Sequence, residues 1–316
     1  MLHLHKHSNP YKNWISGIVL SVFLLLGTGD QAWPENGVKV VGSGDTWPGF
    51  TRVVTESMAP FAERLETDDD NFKEYGVTGF TGIRISRLME LAGKDVDQGR
   101  NQGLTIIGTD QYVGYLPKEK LEQGLLAWEM NGKPITGLTG GPLKLIFPKN
   151  AGIHSSCYTW YVAAMVAGNG QGAQLSVTQG ENTRQYSRAD LLAHTVPLDR
   201  AMFSIAQGCR NEFDSPPPAK EIRAVPISWF MSGPREAQGD GSGFVQLIPL
   251  AGPVVTLPPE LLDYPVFIIV SCDNRGLHPA LGGPFSVVFP VETHPELRDM
   301  VPETGALFFL EKIIIK

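Results

Sequence analysis

The sequence predicts an α+β protein built of two tandem β-rich modules, and three observations carry that prediction. The first is an internal echo: Gly140-Gly141-Pro142 is followed by Phe147-Pro148, and Gly282-Gly283-Pro284 is followed by Phe289-Pro290. The second is the register of that echo. Leu116-Pro117 precedes the first Gly-Gly pair by 24 residues and Leu257-Pro258 precedes the second by 25, while Ile85 and Ile227 stand 31 and 30 residues before those leucines. Landmarks kept in step in this way indicate two copies of one unit. The third is composition: 35 glycines and 24 prolines among 316 residues, with 42% hydrophobic residues, describe a globular chain rich in turns and poor in long helices.

The first module reads from about residue 38 to 167. Val38 to Val41 is β-rich and runs into the turn Gly42-Ser43-Gly44-Asp45, and a second apolar segment covers Phe50 to Val54. Ala59 to Leu65 has helical spacing and leads to the acidic loop Thr67 to Asn71. That loop lacks the spaced ligands and later bidentate glutamate of a calcium site, so it reads as a solvated turn. Ile85, Leu88, Met89 and Ala92 share one face of a short helix that Gly93 ends. Leu104 to Ile107 and Gln111 to Tyr115 read as paired strands around Gly108-Thr109-Asp110. Lys118 to Gln123 then makes a helical turn, Leu125 to Trp128 a strand, Asn131-Gly132 a tight turn and Leu143 to Phe147 a strand.

Gly168 to Gly172 is too glycine-rich for a strand and lacks the Lys-Ser/Thr ending of a phosphate loop, so it reads as a linker. The second module, 173–316, opens with a strand over Ala173 to Thr178, a helix over Arg188 to Ala193 and a strand over Ala201 to Ala206. Ser215-Pro216-Pro217-Pro218 reads as a stiffened loop.

Residues 1–32 read as a secretory signal. Lys6 and Lys12 precede an apolar run from Trp14 to Leu26, roughly 13 residues against the ~20 that a membrane helix needs, and Gly27-Thr28-Gly29 supplies small residues for cleavage. A cut after Ala32 and an uncleaved anchor are the alternatives. No twin-arginine pair precedes the run, which implies export of an unfolded chain into a bacterial periplasm. His3, His5 and His7 lie ahead of the apolar run and are set aside with it. A net charge of −7 with no clustered Lys and Arg argues against a nucleic-acid partner.

Four segments in order, Phe80 to Met89, Tyr112 to Leu116, Ala127 to Ile135 and Gly140 to Leu145, resemble the sulfite oxidase-type molybdopterin-binding domain, and the second module resembles it more faintly through Leu257-Pro258, Gly282-Gly283-Pro284 and Val287 to Pro290. The resemblance implies a molybdenum held by one cysteine thiolate, a soft donor suited to a high-valent metal. Cys209 is the position that matches, with Arg210 and Asn211 after it to position an oxyanion or the pterin; the first module has no cysteine in the corresponding part, Thr51 to Met58. The basic residues that the family uses to grip the pterin phosphate, beyond the strand after Gly-Gly-Pro, are replaced by Gly152 to Trp160 and by Gly305 to Leu310.

The other chemistry-bearing residues form no recognisable constellation. Cys157, Cys209 and Cys272 are an odd set, consistent with a Cys157–Cys272 bridge and a ligand at Cys209, but equally with other pairings or with three thiols. His154, His194, His278 and His294 are dispersed without ligand spacing, and His154 before Ser155-Ser156-Cys157 has no Gly-x-Ser-x-Gly turn to make a hydrolase. Trp47, Trp128, Trp160 and Trp229 are assigned to core packing.

The expectation is therefore an exported, cofactor-free binding or assembly module that partners a periplasmic protein or a small ligand. The alternative is a molybdopterin-dependent oxidoreductase with Cys209 on molybdenum. Since no Cys-x-x-Cys-His haem site is present, its electrons would leave through a separate redox protein.

Overall fold

The computed structural model describes residues 37–42, 50–68, 76–94, 103–153, 157–168, 170, 172–199, 221–231, 243–302 and 305–316. Residues 36–316 form one compact unit. The first half contains β1 (Gly37–Val41), β2 (Thr51–Val54), α1 (Thr55–Met58), β3 (Glu63–Asp68), β4 (Val77–Arg84), α2 (Ile85–Leu91), β5 (Leu104–Gly108), β6 (Val113–Leu116), β7 (Leu125–Met130), β8 (Lys133–Pro134), β9 (Lys144–Ile146) and β10 (Val162–Ala167). The second half continues with β11 (Gln174–Gln179), β12 (Asn182–Ser187), α3 (Arg188–Leu192), β13 (Val196–Pro197), β14 (Ile222–Pro226), α4 (Ile227–Met231), β15 (Val245–Pro249), β16 (Val255–Leu257), β17 (Phe267–Cys272), β18 (Ser286–Val288), β19 (Ala306–Leu307) and β20 (Leu310–Ile315). Mixed sheet with short helices is the α+β class expected from the turn-rich composition.

Four sheets organise these strands. One runs β2-β1-β10-β5-β6 and another β12-β11-β20-β15-β16. In each, the first strand of its half pairs in parallel with the last, β1 with β10 and β11 with β20, and the remaining pairs are antiparallel. The other two sheets run β3-β4-β7-β8, with β9 also on β7, and β13-β14-β17-β18-β19.

The turns before the closing strands follow one plan. Gly140 and Gly282 adopt φ of 89° and 90°, each is followed by a cis Gly-Pro bond, and Tyr161 and Phe309 return with φ of 52° and 56°. Tyr161 N–H donates to Gly140 O and Phe309 N–H to Gly282 O, both at 2.8 Å. A Cβ on Gly140 would lie 2.8 Å from the Trp160 ring, and one on Gly282 would lie 2.2 Å from Phe308, so both positions require glycine for conformation and for space.

Alternation along the strands divides the core. Val38, Val40, Leu104, Ile106, Val162 and Met165 face a cluster made wholly of first-half residues. Val41, Ile107, Val113, Ala164 and Val166, on the other face, join a cluster that also takes Leu175, Leu247, Phe309 and Ile313. The β1–β10 parallel pair is thus covered on both sides, the usual environment of parallel strands. Burial carried further than alternation in β10, whose six residues are all buried.

One predicted element is corrected. Ala59 to Leu65 is not a helix: a 3₁₀ turn covers Ala59–Phe61, and Glu63–Asp68 is a strand paired with β4 at all six positions. Pro60 allows one turn to start, and cross-strand pairing then overrides the helical spacing of the apolar residues. Elsewhere α2 buries Ile85, Leu88 and Met89 as the spacing requires, and Gly93 at φ 64° follows it. Strand β6 begins at Val113 rather than Gln111, because Gln111 sits at φ 65° in the hairpin.

Candidate functional site

Cys209, Arg210 and Asn211 lie outside the described residues, as do the predicted strand Ala201 to Ala206, the Ser215 to Pro218 loop, His154, Trp47 and the 1–32 signal. The segment that the sequence reading set against Cys209, Thr51 to Met58, forms β2 and α1, and Met58 is fully buried. The Cys157–Cys272 bridge is not formed. Cys157 is 2% exposed, with its Sγ–H directed at Tyr115 O at 3.6 Å, whereas Cys272 ends β17 in a tight turn where its N–H donates to Arg275 O. Cys157 lies in the connection between β9 and β10, and Cys272 is the last residue of β17.

Lys144 is the functional-type residue that the sequence reading passed over. It stands two positions after the cis proline, inside β9 rather than beyond it, and is 0% exposed. Its Nζ lies 4.6 Å from the centre of the Trp160 ring, a cation–π contact sealed by the indole that also covers Gly140. The place two positions after the second cis proline is held by Ser286, whose hydroxyl donates to Gly282 O at 2.7 Å. The hint was a lysine between Leu143 and Leu145 in an apolar strand.

Other cations nearby are engaged. Arg84 pairs with Glu63 at 2.8 Å and donates to Gln123 O, Arg87 pairs with Glu90, Lys149 with Asp68, and Lys120 Nζ donates to Ala151 O at 2.6 Å. No group of three His, Cys, Asp or Glu residues able to hold a metal exists among the described residues.

Between the halves, His278 is half-buried and its imidazole meets Tyr115 in an edge-to-face contact with ring centres 5.8 Å apart. Its Nδ1 accepts the Ala280 N–H at 3.0 Å, so this nitrogen carries no proton. Burial holds its pKa below the ordinary 6.5. Lys39 donates to Leu250 O at 2.8 Å; burial depresses its pKa and raises that of its electrostatic partner Glu311.

An open groove lies in the second half, lined by Arg184, Gln185 and Tyr186 of β12, Asp190 and His194 of the α3 segment, and Trp229 of α4. His194 stacks on Trp229 with centres 4.2 Å apart and planes at 27°, and Tyr186 meets Trp229 edge-on at 5.7 Å. Trp229, assigned to the core from sequence, packs against it on one face and lines the groove with the rest.

These positions can be set beside known proteins. Residues 61–161 match the oxidoreductase molybdopterin binding domain. The match to this molybdopterin-binding domain spans β3 to β9, ends at the residue before β10, and holds one of the three cysteines, Cys157. The crystal structure of the sulfane dehydrogenase SoxCD from Paracoccus pantotrophus is similar at 13% identity and a TM-score of 0.32, covering 89% of this chain and 74% of that one. No curated protein matches. Among the described residues of the molybdopterin-domain segment, neither the thiol nor the lysine beside the Gly-Gly-Pro turn is placed to meet the cofactor. The segment's single thiol is buried, and the lysine next to its Gly-Gly-Pro turn is closed off by Trp160.

Proposed function

We propose that this chain is an exported protein that uses the molybdopterin-domain architecture as a cofactor-free binding or assembly module. The observation that carries this reading is the closure of the matched segment, where neither Cys157 nor Lys144 is offered to a ligand. A thiol ligates a metal as its thiolate, whereas the Cys157 Sγ–H is directed at Tyr115 O, and a phosphate needs aimed donors. The two-copy organisation, 38–167 and 173–316 about a 168–172 joint, belongs to the same proposal; the recurring strand order and the paired Gly-Gly-cis-Pro turns support it. Residues 1–32 direct export to the periplasm, where they are either removed or kept as an anchor.

Metal analysis of protein purified from its native compartment tests this. Molybdenum far below one per chain is expected, with fold unchanged in Cys209→Ser. About one molybdenum per chain, lost in Cys209→Ser, would overturn it, since a hydroxyl is a far poorer ligand for this metal.

The family match itself favours a second reading, a periplasmic molybdopterin-dependent oxidoreductase. Its metal would then be held by Cys209, outside the matched segment, with Arg210 and Asn211 beside it and a separate protein receiving the electrons.

A further inference from the structure

We propose that the outer edge of β12 and the groove beside it bind an extended peptide strand that carries an aromatic residue next to an acidic one. The proposal deepens the binding-module reading by naming the class of partner, and rests on it.

Sheet edges are normally blunted by shortness, proline or charge, because their outward N–H and C=O groups are open to a new strand. Most edges here follow that rule. Strand β2 has four residues, β16 three, and β8, β13 and β19 two each, with Pro134 and Pro197 in β8 and β13. Strand β3 has six residues, but Glu63, Arg64, Glu66 and Asp68 guard it. Strand β12 also has six, Asn182–Ser187, with Arg184 as its one charge and no proline. It pairs with β11 at all six positions without a bulge, and so presents a straight edge whose first four residues are exposed. Among the described residues no strand pairs with its other side.

The groove selects what such a strand would carry. Three consecutive β12 residues, Arg184, Gln185 and Tyr186, line it, so it runs along the edge, and a peptide paired there would lay a side chain against Trp229 and His194. The exposed His194 imidazole, held in a near-parallel stack on Trp229 with Tyr186 edge-on to that indole, offers its outer face to a flat ring. The groove's carboxylate is already committed: Asp190 Oδ2 accepts from Ser187 N–H at 2.8 Å and from its hydroxyl at 2.7 Å. Arg184 forms no ion pair among the described residues, so the matching charge on the peptide is a carboxylate. Strand addition supplies affinity through main-chain bonds, and stacking on His194 with the Arg184 charge supplies selectivity.

The probe is a fluorescein-labelled seven-residue peptide of alternating threonine and valine with a central phenylalanine beside an aspartate, titrated with the full chain by fluorescence anisotropy. Saturable binding is expected, weakened about tenfold or more in Arg184→Glu and in His194→Ala, each a loss of one contact of ordinary strength. Both substitutions are at exposed positions, so unchanged circular dichroism is expected alongside. The same peptide with alternate backbone nitrogens methylated, made in both registers, should not bind in at least one. No saturable binding, equal binding by both methylated forms, or unaltered binding by the variants would overturn the proposal. So would sedimentation showing a dimer that Arg184→Glu dissolves, which assigns the edge to a second copy. Molybdenum measured on the same preparations separates the readings: peptide binding by metal-loaded protein sinks the cofactor-free role alone, and metal-free protein that ignores the peptide sinks this inference alone.

Discussion

The side chain of Gln111 pairs with both backbone polar groups of Phe308: its Oε1 accepts the Phe308 N–H at 3.0 Å and its Nε2 donates to Phe308 O at 3.4 Å. The same Nε2 donates to Ala251 O at 3.0 Å. A hairpin tip of the first half thereby satisfies backbone groups of the second, and Gly252 stands where a Cβ would come 2.9 Å from Gln111.

Gln111→Asn keeps a residue that tolerates positive φ but falls one methylene short. The orphaned backbone groups should cost about 1–3 kcal/mol, read as a lower denaturant midpoint with an unchanged slope. A shift within error would mean that the clasp is not made in solution.

Gly140→Ala and Gly282→Ala should each destabilise by about 1–3 kcal/mol or more, from positive φ together with a clash on Trp160 or Phe308. Gly93→Ala is the control, since φ there is 64° but nothing lies within 4 Å of the added carbon. Chemical denaturation of the three variants should rank Gly93→Ala mildest; equal losses would show that crowding at the turns is unimportant.

His278 supplies a pH dependence. Its folded pKa is depressed by burial, so the folded state holds fewer protons than the unfolded chain as pH falls. The stability it contributes is present above its ordinary 6.5 and is lost as pH falls from there through the folded value. His278→Asn, which retains an acceptor for Ala280 N–H, should flatten the decline of stability below pH 6.5. Identical pH profiles for the two proteins would refute the assignment.

Protease should cut first near Gly168 to Gly172, yet the nicked chain should stay together on gel filtration without denaturant. The reason is the shared core: Val41, Ile107, Val113 and Val166 pack in one cluster with second-half residues. Separation of the fragments on nicking would contradict that core, and preferential cleavage within Gly140 to Trp160 would contradict the division itself.

Local rules were readable in the sequence because they depend on near neighbours. Period and the closing Gly93 placed α2, and glycine with proline marked the turns at Gly140 and Gly282. The three spaced landmarks fall at like places in the structure: Ile85 and Ile227 each open a helix after a strand, and Leu116 and Leu257 each close one. Helical spacing at Ala59 to Leu65 misled, since β3 is decided by its partner β4 and not by its own pattern.

What only the tertiary structure decided is what each side chain faces. A lysine in a strand looks like a surface residue until β9 folds beneath Trp160 and Lys144 is sealed in, and a dispersed histidine looks idle until His194 meets Trp229 across α3 and α4. The pairing of Cys157 with Cys272, open on counting alone, is not made: both are free thiols, one buried and one half-buried. Sequence determines propensity and period over a few residues, whereas burial, charge environment and proximity arise from contacts between residues far apart in the chain, which exist only once the sheets have closed.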